Sequence, residues 1–284
     1  MSESKLPSAF IENESLRLEY LTTTGPRIIG LYAKGVEGNL FAETPDAHWE
    51  TPHGKYYLRG GHRMWTAPEN SFYTCPEDGL QVIEENGGVT LKGAVDASGL
   101  EKEIAFRLDG NHVHLSHRVT WHGDEPIELA PWSITQLRLG GMGILPFPAN
   151  VGGLAPNRNV VLWPYSQIHD ERLELHDDFL LLHGKVAAEA IKIGNRNTHG
   201  WIACTLGNAL FIKRFAIDAV GTYPDLGCNV EAYVRDVCIE LEALGTLVTL
   251  NKHERAILDE SWEIVASEYP ANIKTARIIG GRLK

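Results

Sequence analysis

Twelve residues, Leu58–Glu69, concentrate side chains able to do chemistry: Arg59, His62, Arg63, Trp65 and Glu69 around the pair Gly60-Gly61. Guanidiniums grip anions and hydroxyls through directed hydrogen bonds. An imidazole moves protons near neutral pH, and an indole offers a flat apolar face with a polar edge. The adjacent glycines allow a sharp turn or close approach to a ligand, and Pro68 ends regular continuation. The stretch reads as a functional loop. The plainer alternative is a structural turn, with Trp65 in the core and the arginines in solvent.

A second concentration lies near the C-terminus. In Val237–Ala243, strand alternation puts Cys238, Glu240 and Glu242 on one face and Ile239, Leu241 and Ala243 on the other. The preceding strand carries Asn229, Glu231, Tyr233 and Arg235 on one face. Converging carboxylates raise one another's proton affinity, which suits general acid or base work. A solvated outer face would show the same alternation. Trp65, Trp132 and Trp163 sit among polar and turn residues, where indoles suit the C–H face of a sugar. Trp201 and Trp262, inside apolar strands, are expected in the core. His112 and His114 form a His-x-His pair, but no third histidine and carboxylate stand at matched spacing, so no metal is expected.

Several signals are missing. The chain has no Gly-x-Gly-x-x-Gly, no Gly-x-x-x-x-Gly-Lys-Ser/Thr, no Gly-x-Ser-x-Gly and no His-Glu-x-x-His, which argues against nucleotide, α/β-hydrolase and zincin chemistry. A formal net charge of −11 over 284 residues argues against a nucleic-acid partner. Cys75, Cys204, Cys228 and Cys238 have no paired spacing and are expected to be buried and reduced. The N-terminus has no apolar signal core, and no run reaches membrane-span length. A cytoplasmic monomer or homodimer with no membrane partner is the expectation.

These groups must be positioned by strands. Leu16, Leu18 and Tyr20 alternate with Arg17 and Glu19, and Arg27–Ala33 returns as an apolar run after Gly25-Pro26. Residues 42–57 read as a long irregular loop. Strands then follow at Leu80–Glu84, Gly88–Val95, Leu100–Leu108, His112–Trp121 and Ile127–Leu137, with a tight turn at Asp109-Gly110-Asn111. Residues 140–156, rich in glycine and proline, read as an irregular crossover. Further strands are expected at Val160–Trp163, Phe179–Leu182, Ala190–Gly194, Trp201–Leu206, Ala209–Phe215, Asn229–Val234, Val237–Leu244, Thr246–Leu250 and Glu260–Glu268. No sustained, capped helix is visible. The expectation is an all-β chain of one domain over 1–284, with a short tail at 1–14.

Gly25-Pro26-Arg27-Ile28-Ile29-Gly30-Leu31, Asn39-Leu40-Phe41 and Leu58–Glu69 resemble the N-terminal half of galactose-mutarotase-like proteins. The resemblance is to a branch of that superfamily carrying Gly-Gly-His-Arg-x-Trp-x-Ala-Pro-Glu. Pro131–Gln136, Gly227–Glu231, Glu240–Gly245 and the closing Glu260-Ser261-Trp262-Glu263 extend it across roughly Ser15 to Val265.

The resemblance implies a galactose-mutarotase-like β-supersandwich with a sugar-binding concave face. It implies aldose 1-epimerase-like chemistry on a small-molecule carbohydrate, with no cofactor. Cys238-Ile239-Glu240 matches the strand that carries the general base, so Glu240 inherits that role and Arg63 inherits ligand binding. Where these enzymes carry an acid histidine near mid-chain, this chain has Trp132, and His62 is the candidate replacement. Arg59, Trp65, Glu69, Trp132, Glu231 and Glu242 complete the expected substrate site. Three other readings stay open: a non-catalytic sugar-binding protein, a lyase or hydrolase acting on a uronic-acid sugar held by Arg59 and Arg63, and a metal-dependent bicupin.

Overall fold

Strands of this chain bury one face and then the other according to the period of two. In His112–Trp121, Val113, Leu115, His117 and Val119 point inward and are buried, while the residues between them are half-exposed. The computed structural model describes residues 6–149 and 152–283. Among them, the strands form two antiparallel sheets.

The first sheet has the order β1 (Ser8–Glu12), β2 (Leu16–Leu21), β3 (Ile28–Ala33), β5 (Gly54–Ala67), β10 (Ile127–Leu137), β19 (Ile239–Leu244), β18 (Val230–Val234), β15 (Ile191–Asn195) and β12 (Val161–Leu162). Two further strands join from the side: β4 (Glu43–Thr51) on β5 and β20 (Val248–Leu250) on β10. The second sheet has the order β13 (Leu173–Leu175), β14 (Phe179–His183), β11 (Met142–Pro146), β16 (Trp201–Thr205), β17 (Ala209–Phe215), β21 (Arg255–Ala266), β9 (His112–Trp121), β8 (Leu100–Asp109), β7 (Gly88–Lys92) and β6 (Gln81–Glu85). Between the sheets lies one apolar core. Leu18, Ile28, Met64, Leu137, Ile193 and Leu241 enter it from the first sheet, and Leu91, Ile104, Val113, Phe211 and Trp262 from the second. Trp201 is also buried, but in a smaller cluster on the second sheet's other face.

Most expected strands are present with ends shifted by a few residues. Four expectations change. Residues 42–57 are not a loop: Glu43–Thr51 pairs with the first half of Gly54–Ala67 as a hairpin arm, hidden in the sequence by Pro45, Pro52 and the polar residues of an exposed strand. Residues 142–146 form a central strand of the second sheet rather than part of a crossover, and residues 150–151 of that stretch lie outside the described residues. The tail is shorter than 1–14, because Ser8–Glu12 pairs with Arg17–Leu21 of the next strand; residues 1–5 lie outside the described residues. Finally, a helix forms over Ile273–Arg282. Asn272 caps it by accepting from the amides of Lys274 and Thr275, and Ala276 and Ile279 pack with Phe179 and Trp201. Its short apolar stripe and Gly280-Gly281 disguised it. Among the described residues no helix is long and apolar enough to cross a membrane, and all four cysteines are free and buried.

The glycine pair of the opening stretch has a structural task. Arg59, Gly60 and Gly61 all have positive φ, at 61°, 83° and 70°. This kink hands β5 from the hairpin arm to the main sheet, where Gly61–Ala67 pairs with β10. A Cβ on Gly61 would stand 2.1 Å from the Ile28 carbonyl oxygen, whereas one on Gly87, also at positive φ, would meet nothing within 4 Å. Gly61→Ala is therefore expected to cost more than the ~1–2 kcal/mol that left-handed backbone alone costs an alanine. Gly87→Ala should stay within it. Urea midpoints of the two variants check the difference.

Candidate functional site

After the kink, odd-numbered residues of β5 face outward and even-numbered ones face the core. Arg63 and Trp65 therefore lie on the outer face of the first sheet, beside Trp132, Ile134 and Gln136 of β10 and Glu240 of β19. Next come Tyr233 on β18 and Lys192 on β15. The β4–β5 hairpin adds Ala47, His48 and Trp49, and loops add Glu69, Tyr165 and Asp236. Together they line a cavity of about 430 Å³.

Its floor holds charge out of water. Arg63 Nη2 lies 3.4 Å from Glu240 Oε1, and Gln136 Nε2 donates to the same oxygen at 2.6 Å. The Arg63 guanidinium lies over the Trp65 ring, 4.4 Å from its centroid. Among the described residues, Arg63 Nε and Nη1 and Gln136 Oε1 are buried and find no hydrogen-bond partner. Buried polar groups are ordinarily paired, so these donors and this acceptor are what the floor offers a polar ligand. Burial pushes the Glu240 carboxyl above the usual carboxylate range, against the opposing pull of Arg63.

A second charged group supports the floor. Lys192 Nζ stands 2.7 Å from Glu231 Oε2 and 3.0 Å from Glu242 Oε2, and Trp132 Nε1 donates to Glu242 Oε2 at 2.8 Å. The ammonium also lies 4.4 Å from the Trp132 ring centroid and 4.6 Å from that of Trp163. Burial disfavours the charge on Lys192, but Glu242 and Glu231 outweigh it and hold the proton above the ordinary lysine range. Burial raises Glu231 well above the usual carboxylate value, against the opposing pull of Lys192. Indoles line the rest: Trp49 meets Trp65 edge-on at 5.9 Å, and Trp65 meets Trp132 at 5.5 Å.

Arg27 braces this wall from behind. Its fully buried guanidinium donates to Glu77 at 2.6 Å, the Tyr56 hydroxyl at 2.7 Å and the Leu58 carbonyl at 2.9 Å, and the Trp65 indole in turn donates to the Tyr56 hydroxyl.

The structure thus brings Glu240, Arg63, Trp65, Glu69 and Trp132 to one cavity, with Glu69 exposed at the rim. Glu231 and Glu242 lie fully buried behind Lys192 and Trp132, where they hold the floor rather than line it. Two expected residues fall elsewhere. Arg59 stands in the kink with its guanidinium over Tyr57, outside the cavity lining. His62, the candidate acid, is even-numbered on β5 and points into the core. Its Nδ1 is 2.9 Å from Thr135 Oγ1, and its Nε2 is 2.7 Å from His117 Nε2.

Around that histidine pair, Glu260 accepts from Ser133 and from Trp262 Nε1 and pairs with Lys213 at 3.4 Å. His62, His117 and Glu260 offer donor atoms within 4.8 Å of one another. The histidine nitrogens are closer than the ~3.4 Å separating tetrahedral zinc ligands at ~2.0–2.1 Å, and Lys213 already neutralises Glu260. The histidines and Glu260 each have hydrogen-bond partners of their own. His117 Nδ1 donates to the Leu258 carbonyl, so its Nε2 accepts from His62, whose Nδ1 accepts from Thr135. His112 and His114 lie half-exposed on the far side of the second sheet, away from this network.

Sequence reading missed Lys192, Gln136, His48 and Trp49. A lysine between isoleucines in Ile191-Lys192-Ile193 was a usable signal, since a charge in an apolar strand needs a partner. His48 and Trp49 were hidden by the loop reading of 42–57.

No protein-family model matches the chain, and no curated protein matches it in sequence. By structure it is similar to a galactose mutarotase-like protein from Lactobacillus casei, at 10% identity and a TM-score of 0.53, covering 91% of this chain and 100% of that one. It is also similar to a galactose mutarotase related enzyme from Lactobacillus acidophilus, at 10% identity and a TM-score of 0.52, covering 94% and 100% of the two chains. At these identities the likeness is one of fold. The fold is the galactose-mutarotase-like β-sandwich.

The buried histidines give a pH signature. Burial holds His62 well below the ordinary histidine value, with His117, Lys213, Arg27 and Arg63 adding to the effect; burial lowers His117 as well. A histidine lowered in the folded state binds its proton more readily unfolded. The stability it confers is therefore full above ~6.5 and declines below it, by up to ~1.4 kcal/mol per pH unit for each histidine until the folded value is passed. His62→Gln should be less stable than wild type at pH 8 and lose stability less steeply below pH ~6.5. Denaturant titrations of both proteins between those conditions check the slopes.

Proposed function

We propose that this chain is a cofactor-independent, aldose 1-epimerase-like enzyme that opens and recloses the ring of a small carbohydrate, with Glu240 as the general base. The observation that carries the reading is the pairing on the cavity floor. A buried carboxyl of raised proton affinity stands beside a guanidinium with two unpartnered nitrogens. Such a carboxylate can accept the anomeric hydroxyl proton, and the free N–H groups of Arg63 can hold sugar hydroxyls. Trp49, Trp65 and Trp132 supply the apolar faces that sugar C–H groups pack on. The mutarotase-like fold supports the same substrate class.

Trp132 favours a second reading, a sugar-binding protein without turnover. It occupies the place where the resemblance leads to an acid histidine, and its indole N–H is committed to Glu242.

Anomer exchange, followed by NMR on a panel of hexoses and hexose 6-phosphates, separates the two. Glu240→Gln is expected to slow exchange about 100- to 10,000-fold. The rate should need Glu240 ionised, so it falls on the acid side through a pH above the usual carboxylate range, and Arg63→Met should move that limb higher by removing the charge that favours ionisation. Wild-type exchange no faster than that of Glu240→Gln on every sugar, with retained binding, would establish the second reading.

A further inference from the structure

Glu240 stands near the middle of an elongated site. Gln136, Glu240, Tyr233 and Lys192 are direct cross-strand partners, so they form one row across β10, β19, β18 and β15. With Arg63 and Trp65 on β5, the lining covers five neighbouring strands. At ~4.8 Å between strands this is about 19 Å from end to end, and one pyranose covers little more than a single spacing. A monosaccharide with its anomeric hydroxyl on Glu240 and its other hydroxyls on Arg63 leaves the β18–β15 end unfilled.

That end differs in character from the floor. Arg63, Gln136 and Glu240 are buried, whereas Tyr165 and Val237 are 47% and 48% exposed at the cavity rim. Tyr165 follows β12, the neighbour of β15. Among the described residues its side chain makes no hydrogen bond and no ring contact, and it belongs to none of the apolar clusters. Trp163, two residues earlier, is instead occupied with the Lys192 ammonium. A large ring without a partner in the fold, standing at the mouth of a cavity, presents its face to whatever enters. The exposed charges around it are Glu69 and the paired Arg235 and Asp236, 3.8 Å apart, a net negative set that suits a neutral ligand rather than an anionic one.

We propose that the chain acts on the reducing end of a neutral oligosaccharide, with the second pyranose packing its C–H face on Tyr165 beside Tyr233. The proposal rests on the hemiacetal-opening reading above and names its substrate class. The reducing sugar lies over Arg63 and Glu240. The glycosidic bond leaves it from a hydroxyl remote from the anomeric carbon and is neither made nor broken. Only the reducing end carries a hemiacetal, so the proton transfer to Glu240 is that of a monosaccharide.

The test measures anomer exchange by NMR, as kcat/KM, for wild type, Tyr165→Ala, Tyr165→Phe and Glu240→Gln. The probes are D-glucose against maltose, cellobiose and isomaltose, D-galactose against galactobiose, and D-mannose against mannobiose, so each disaccharide ends in the sugar it is compared with. At least one disaccharide is expected to exceed its monosaccharide by about 10-fold. Tyr165→Ala should remove most of that ratio. Tyr165→Phe should keep it, because the ring face and not the hydroxyl makes the contact. Wild-type exchange faster than Glu240→Gln with no disaccharide favoured overturns the second-ring site while the hemiacetal reading stands. So does a preference that Tyr165→Ala leaves intact, or one that Tyr165→Phe abolishes. Wild-type exchange no faster than Glu240→Gln on every probe overturns both.

Discussion

Charge held out of water on one face of a sheet is the constraint around which this protein is built. Arg63, Lys192, Glu231, Glu240 and Glu242 lie on β5, β15, β18 and β19 of the first sheet and are all buried. An isolated buried charge is too costly to keep, so each is tied to a partner within its own layer: Arg63 to Glu240, and Lys192 to Glu242 and Glu231. The indoles of Trp65 and Trp132 shield the cations from above and so raise the cost of any unpaired member. On the cavity side, two nitrogens of Arg63 and one oxygen of Gln136 are among the buried atoms without a hydrogen-bond partner.

The opposite face of the same strands solves a similar problem differently. Ser133 and Thr135 alternate with Trp132, Ile134 and Gln136 on β10, and His62 and Met64 alternate with Arg63 and Trp65 on β5. Inside the core, His62 pairs with His117 and Lys213 with Glu260, on the opposite side of the sheet from the cavity. One layer of backbone therefore separates polar groups enclosed in the core from polar groups that line the cavity. The kink at Arg59-Gly60-Gly61 decides which residue joins which side, because a shift of one position would exchange Arg63 for His62. The arm beyond that kink carries His48 and Trp49 to the cavity from outside the main sheet.

Local pattern determined a good deal. Alternation in Val237–Ala243 and in Asn229–Arg235 assigned Glu240, Glu242 and Glu231 to a shared face, and turn residues marked most strands, because side-chain direction in a strand follows from position alone. The all-β class followed from the same spacing. Tertiary structure decided the rest. Whether that shared face was solvated or enclosed depended on Trp49, Trp65, Trp132 and Tyr165 arriving from distant segments. His62 fell on the core side because two positive-φ glycines set the register of β5, a fact that spacing within Leu58–Glu69 does not carry. Lys192 became part of the site only through pairing of β15 with β18, some forty residues apart in the chain. Period and turn chemistry are local and readable residue by residue. Which faces meet is a property of long-range pairing, and that is where the site was made.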